Sequence, residues 1–420
     1  MQHSFEELFE KTADWLIQNQ CSNGSWGISR IRHAEPAFYQ KDLVLTSQSS
    51  SALIYAQQPS AVPAVSRGLW YCANTRLEKT DPVDWWAWQL FAMKFSNTPF
   101  FNRRAKRIAE FLCSAQKSGH WYTFPSTFNA TNFSVVTALS GLGHGPTLEH
   151  TINWFSRTKA ADGQGWGSDD SAKKSAATFT SNVVLALLAA GADPLSKSLQ
   201  TARQFLERQQ RSGGWTATMM SVTQPTTYST AFATACIMLL SKNPFNNAVE
   251  QGIKFLLNHA SKGGGWPLVS GEKPDYYTTF YTLRTLALYK YLKEMMTGDS
   301  GKALCSWMEP QRAATFFFRE FDNCMAKELQ RTIYRRFVGS RALAATKPAL
   351  KRRIEILNLL AAEGAKDVAS IIDALKRQPE YAGLNKRSHI TQIKFDIEFM
   401  RDTGLVGQIR DEYFIILNPL

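Results

Sequence analysis

Four stretches of the chain end in the same way. Trp15 to Trp26 reads "WLIQNQCSNGSW", Phe111 to Trp121 "FLCSAQKSGHW", Phe205 to Trp215 "FLERQQRSGGW" and Phe255 to Trp266 "FLLNHASKGGGW". Each is an amphipathic run that stops at glycine and then places a tryptophan two residues on. Glycine tolerates the left-handed turn that closes a helix, so each stretch reads as a helix running into a tight loop. The tryptophans Trp121, Trp166, Trp215 and Trp266 lie 45, 49 and 51 residues apart, and Trp26 precedes Trp121 by 95, two such periods. A weaker copy is therefore expected between them, and "GLWYCANTRLEKTDPVDWWAWQLFAM" (Gly68 to Met93) supplies it without a clear Gly-x-Trp. A unit of this length cannot bury its apolar face alone and must stack on its neighbours.

After each loop comes a second helix that opens with Ser, Thr, Asp or Asn, residues that cap helix starts well. These helices, among them "TSQSSSALIYA", "ATFTSNVVLALLAAG", "TTYSTAFATACIML" and "YYTTFYTLRTLALY", are small and apolar on nearly every side, as buried helices should be. The first helices keep a charged face, as in "TARQFLERQQR". Six outer–inner pairs, filling residues 1–295, predict a mainly α chain closed into a six-hairpin (α/α)6 toroid with the inner helices as staves. An open solenoid of the same units is the alternative.

The pattern (K/R)-A-x-x-(F/W)-L-x-x-x-Q-x-x-x-G-x-W resembles the QW repeat of squalene and oxidosqualene cyclases. The first copy follows it through Lys11, Ala13, Trp15, Leu16, Gln20, Gly24 and Trp26, whereas the Trp266 copy has Ala260 in place of Gln. That superfamily, whose α/α toroid is shared by class II diterpene cyclases and protein prenyltransferase β subunits, implies a ring fold and an isoprenoid ligand. The Gln and Trp themselves read as structural: an amide for exposed backbone groups at a helix end, and an indole to plug the gap between units.

Six inner-helix starts around one mouth gather partial positive charge and unpaired N–H groups. With Lys41, Lys173, Lys174, Lys262 and Lys273 in or beside the loops, such a mouth suits an anionic head. Trp85, Trp88, Phe133, Phe179, Tyr228, Phe232, Tyr277 and Phe280 are the candidate lining of a ligand cavity, where rings suit an isoprenoid chain and stabilise a carbocation. Packing between the layers is the plainer reading of the same residues. The resemblance implies a DxDD acid for alkene protonation, and no DxDD occurs. Asp84 in "PVDWWAWQL" aligns with its middle Asp, flanked by Pro82 and Trp85, and is the one candidate catalytic residue, although an N-cap explains it equally simply. Asp169 and Asp170 read as solvated loop charges. The zinc triad of prenyltransferases is also missing, so no metal or cofactor is expected.

The six cysteines are scattered without a CxxC pair, which predicts reduced thiols in a cytoplasmic protein. No apolar run reaches the ~18 residues of a membrane span. The formal charge of +13 favours anionic partners. From Arg331 onward, 16 Lys and Arg face 10 Asp and Glu.

Residues 296–345 read as a linker and a helical segment, "QRAATFFFREFDNCMAKELQRTIYRRFVG", that either packs on the barrel or pairs with a second copy. Residues 346–420 read as three helices and a β-hairpin, similar to a winged helix-turn-helix. In that family the third helix enters the major groove and the wing meets phosphate. Lys386, Arg387, Ser388, His389, Thr391, Gln392, Lys394 and Arg410 are the candidate nucleic-acid contacts, with DNA or a partner protein as the target. Together these features predict a non-catalytic binding protein, a regulator or a subunit of a bacterial defence assembly. Its ring would hold a hydrophobic or anionic ligand or a partner, and the expected protein partners include a second copy in a homo-oligomer. The alternative is a divergent class II cyclase or prenyltransferase-like enzyme acting on an isoprenoid.

Overall fold

In the computed structural model, the structure describes residues 5–27, 42–96, 98–122, 128–217, 223–297, 310–339, 347–378, 381, 387–402, 406–409 and 412–414. Lys41, Lys386 and Arg410 lie outside these residues.

The six hairpins are all present. Outer helices α1 (Phe5–Gln18), α3 (Val62–Asn74), α5 (Pro99–Ser114), α7 (Gly145–Arg157), α9 (Lys197–Gln209) and α11 (Asn247–Asn258) alternate with inner helices. The inner ones are α2 (Asp42–Ala56), α4 (Val83–Met93), α6 (Phe128–Leu139), α8 (Ala177–Ala190), α10 (Thr227–Leu240) and α12 (Tyr276–Thr297). Each inner helix packs on the next, and α12 packs on α2, so the ring is closed. The open solenoid is excluded.

The repeat motif works as a clasp. All five Gly-x-Trp indoles are fully buried. Each indole N–H donates to a last-turn carbonyl of the outer helix just completed: Trp26 to Leu16, Trp121 to Leu112, Trp166 to Phe155, Trp215 to Leu206 and Trp266 to Leu256, at 2.7–2.9 Å. Such carbonyls have no partner within the helix. The same tryptophans' backbone N–H groups donate to Thr46, Asn132, Thr180, Thr230 and Thr279 on the following inner helix. The Gln amides reach further, from Gln20 to the Ala64 carbonyl, Gln116 to Thr147 and Gln210 to Ala248, all on the first turn of the next outer helix. Glycine is required where the loop meets that helix. A Cβ on Gly24 would sit 2.7 Å from the Arg67 oxygen, and one on Gly264 2.3 Å from the Lys11 oxygen. The second contact joins the last loop to α1, and the Gly265 N–H adds a bond to the Thr12 hydroxyl. The sixth clasp thus holds the first helix.

The second unit differs, as its sequence suggested. Without a tryptophan, the carbonyls at the end of α3 are bound by Gln89 of α4, whose amide donates to Cys72 and Thr75 at 2.7 and 2.8 Å.

The segment expected as a linker contains a plug. A short helix α13 (Pro310–Phe316) runs through a π-helical turn, Phe317–Phe321, into α14 (Asp322–Gly339). π-turns place side chains off the regular helical spacing and are frequent at special sites. Here the turn buries Phe317, Phe318 and Phe321 beneath the C-terminal ends of the inner helices. Phe321 stacks on Tyr55 at 5.9 Å, and Arg319 lies beside Gly141 and Gly191. Of the two open sequence readings, packing on the barrel is what the residues do.

The last elements are α15 (Lys347–Glu363), β3 (Lys366–Asp367), α16 (Val368–Lys376), α17 (Arg387–Asp402), β4 (Gly407–Ile409) and β5 (Glu412–Phe414). The hairpin is joined by β3, which the sequence reading did not contain, in an antiparallel sheet ordered β3-β5-β4. Two short strands within the ring, β1 (Trp215–Thr216) and β2 (Pro225–Thr226), pair across one loop. Two arginines of α15 hold α17 by one buried carboxylate. Arg352 and Arg353 donate to Asp396 at 2.5 and 2.7 Å, and Arg353 also lies over the Phe399 ring. This unit rests on α5, where Arg103 donates to the Ala362 carbonyl.

Candidate functional site

The eight aromatic candidates fall mostly at the ring axis. Trp88 meets Phe280 edge-on at 5.6 Å, Phe133 meets Phe232 at 5.4 Å, and Tyr228 meets Tyr277 at 4.9 Å, with their hydroxyls 2.9 Å apart. The hub is Tyr281, which sequence reasoning missed. Its ring contacts Trp88 of α4, Phe133 of α6, and Tyr228 and Phe232 of α10. Since α6 and α12 stand on opposite sides of the ring, these contacts bridge the lumen. The edge-to-face geometry is the preferred one for packed rings. Phe179 is buried but makes no ring–ring contact among the described residues, and Trp85 is half-buried in the first turn of α4.

Several polar groups of the inner helices are buried. Both amide atoms of Gln48, Asn129 Oδ1 and Thr227 Oγ1 have no partner among the described residues. Water is the usual partner of such groups.

Asp84 does not cap α4. Pro82 holds the cap position and Asp84 stands two residues inside the helix. One turn before Trp88, it lies on the lumen side of α4. Its Oδ1 is shut off from solvent and has no hydrogen-bond partner. Burial pushes this carboxyl up to about 6, with backbone N–H groups of the first turn pulling the other way. Asp275, just before α12, is also pushed up to about 6 by burial, although it accepts the Thr278 N–H at 2.7 Å. Lys173, Lys174, Lys262 and Lys273 are exposed on loops. Asp169 is bound by the Ser168 and Ser171 hydroxyls, which hold it below the usual carboxylate range.

At the opposite end sits a charged pair that the sequence analysis did not single out. Arg284 of α12 donates to both Asp322 oxygens at 3.1 and 3.3 Å, and the Tyr55 hydroxyl donates to the same carboxylate at 2.7 Å. The guanidinium lies 4.4 Å over the Phe317 ring of the plug. Nearby, Lys94 donates to the Thr137 and Ser140 carbonyls, and burial lowers it to about 8. A lone arginine in the apolar stretch "YYTTFYTLRTLALY" was the available signal.

No group of described residues could hold a metal ion. No described helix is long and apolar enough to cross a membrane. In the C-terminal unit, α17 carries Arg387, Ser388 and His389 in its first turn, and Thr391, Gln392 and Lys394 are exposed beyond them.

No protein-family model and no curated protein sequence matches the chain. Solved structures do. The type II terpene cyclase MstE from Scytonema is 13% identical, with 68% of this chain and 99% of that one covered at a TM-score of 0.50. Candida albicans protein geranylgeranyltransferase-I is 13% identical, covering 75% and 99%, at 0.48. The chain has the α/α-toroid fold of that terpene cyclase.

Proposed function

We propose that this is a binding protein in which the toroid is a filled, non-catalytic hub and residues 346–420 form a winged helix that contacts DNA. The observation that carries the DNA reading is the order of the C-terminal elements. The order helix, strand, two helices and a hairpin, with β3 and β4 on either side of β5, supports the winged-helix reading. Its third helix, α17, exposes Thr391, Gln392 and Lys394, while its central acid, Asp396, is buried and neutralised by Arg352 and Arg353. A helix presented this way suits major-groove contact, with amide and cation for bases and phosphate. For the ring, the contacts that Tyr281 makes across the lumen with Trp88, Phe133, Tyr228 and Phe232 support a packed centre over an open substrate tunnel.

The experiment is fluorescence anisotropy with duplex DNA across a salt series. Affinity is expected to fall steeply with salt, and Arg387→Glu and Lys394→Glu each to weaken binding and shallow the salt slope by about 1. Absent or salt-insensitive binding would leave a protein partner as the target.

One observation favours a second reading: Asp84 keeps an unpartnered oxygen on the lumen side of α4, and MstE is a type II terpene cyclase. An alkene is protonated only by a strong acid, however, and burial weakens Asp84 as an acid. Incubation with geranylgeranyl diphosphate and squalene should give no cyclised product. A product lost in Asp84→Asn would establish the enzyme instead.

A further inference from the structure

In five units a Gly-x-Trp loop fills the gap between one outer helix and the next. The second unit has no such tryptophan, and the gap stays open as a cavity of about 620 Å³ between residues 75–79 and α5. Its floor is apolar, built from Leu77, Trp86, Phe100, Ile108 and Phe111, with the Trp86 and Phe111 rings 4.6 Å apart. The Trp86 indole N–H is buried and has no hydrogen-bond partner among the described residues.

The rim is cationic. Arg76, Arg104 and Arg107 all line the cavity, and none forms an ion pair among the described residues. Burial, with the charges of Arg107 and Arg76 beside it, holds Arg104 below its ordinary value. Arg104 is thus held beside two like charges, an arrangement that an anion would relieve. Glu78 is the single acid in the lining, and its backbone N–H is already bound by Asp81.

We propose that this groove binds a phosphate ester with an apolar or aromatic body. The guanidinium forks match phosphate oxygens, and three of them ask for a ligand carrying more than the single charge of a carboxylate. The floor takes the body. A volume of this size suits a small organic ligand. The site lies outside the ring and stands independently of the DNA reading.

Binding to the full chain is to be followed by calorimetry with three probes: inorganic pyrophosphate, decyl phosphate and ATP. At least one of the two esters is expected to bind tenfold or more tighter than pyrophosphate, and the tighter arm tells a hydrocarbon body from a planar base. Arg107, which is exposed, can be reversed without disturbing packing. Arg107→Glu is expected to weaken that ester at least tenfold while the melting temperature is unchanged. The proposal is overturned if neither ester outbinds pyrophosphate, or if Arg107→Glu binds the tighter ester as wild type does.

Discussion

Asp84 and Asp275 hold their protons into the mildly acidic range because burial disfavours the charged form, from an ordinary value of 3.8 to about 6. A raised carboxyl stabilises the fold below its unfolded value, and that contribution is lost as pH rises through the folded value. For Asp84 the window runs from about pH 4 to pH 6, and the cost above it is about 2–3 kcal/mol. Asp84→Asn, which keeps the shape and cannot ionise, is therefore expected to melt with wild type at pH 4 and above it at pH 7. A melting difference that does not change across this window would refute the assignment. The sequence marked Asp84 because it aligns with the middle Asp of the DxDD motif that the resemblance implies. It could not mark Tyr281, whose place at the axis depends on which side of α12 faces inward.

The glycine clasps set the outer helices, and one of them tests the ring's closure. Gly264 has φ +96°, and a Cβ there would strike the Lys11 backbone, whereas Gly263 has nothing within 4 Å. Gly264→Ala is expected to cost about 2 kcal/mol or more in urea melts, and Gly263→Ala no more than about 0.5. Equal costs would mean that this contact does not bind the last loop to the first helix. The twelve ring helices were legible because a glycine turn and a Trp follow five of the six outer helices, three of them with the Gln as well, and apolar periodicity separates the two layers. The plug was not. "FFFREF" supports no single periodicity, and its π-turn is fixed by the aromatic bed beneath the ring and by Arg284. Strand β3 was equally hidden, since two residues, Lys366 and Asp367, become a strand only when β5 lies against them.

Over the whole molecule, we place the end of the toroid's folding unit after the plug rather than at residue 295. A chain stopped after residue 345 is expected to keep a cooperative melt and to lose DNA affinity. One stopped after residue 297 leaves Arg284 and Tyr55 without Asp322, a loss of about 3–5 kcal/mol for a broken buried pair. Circular dichroism melts of the two chains separate these outcomes; similar melts would show the plug to be an ornament.

The seam between α2 and α12 also sets a timetable. Its two sides are made roughly 230 residues apart, so at a ribosomal rate of about 5–20 residues per second the earlier waits roughly 10–50 s for the later. Through that interval the flank of α2 that packs on α12 has no mate, and neighbouring hairpins stack as a growing arc. Nascent chains of this protein should accordingly lean on chaperones until the final stave arrives, and a slow joining step should dominate refolding from denaturant.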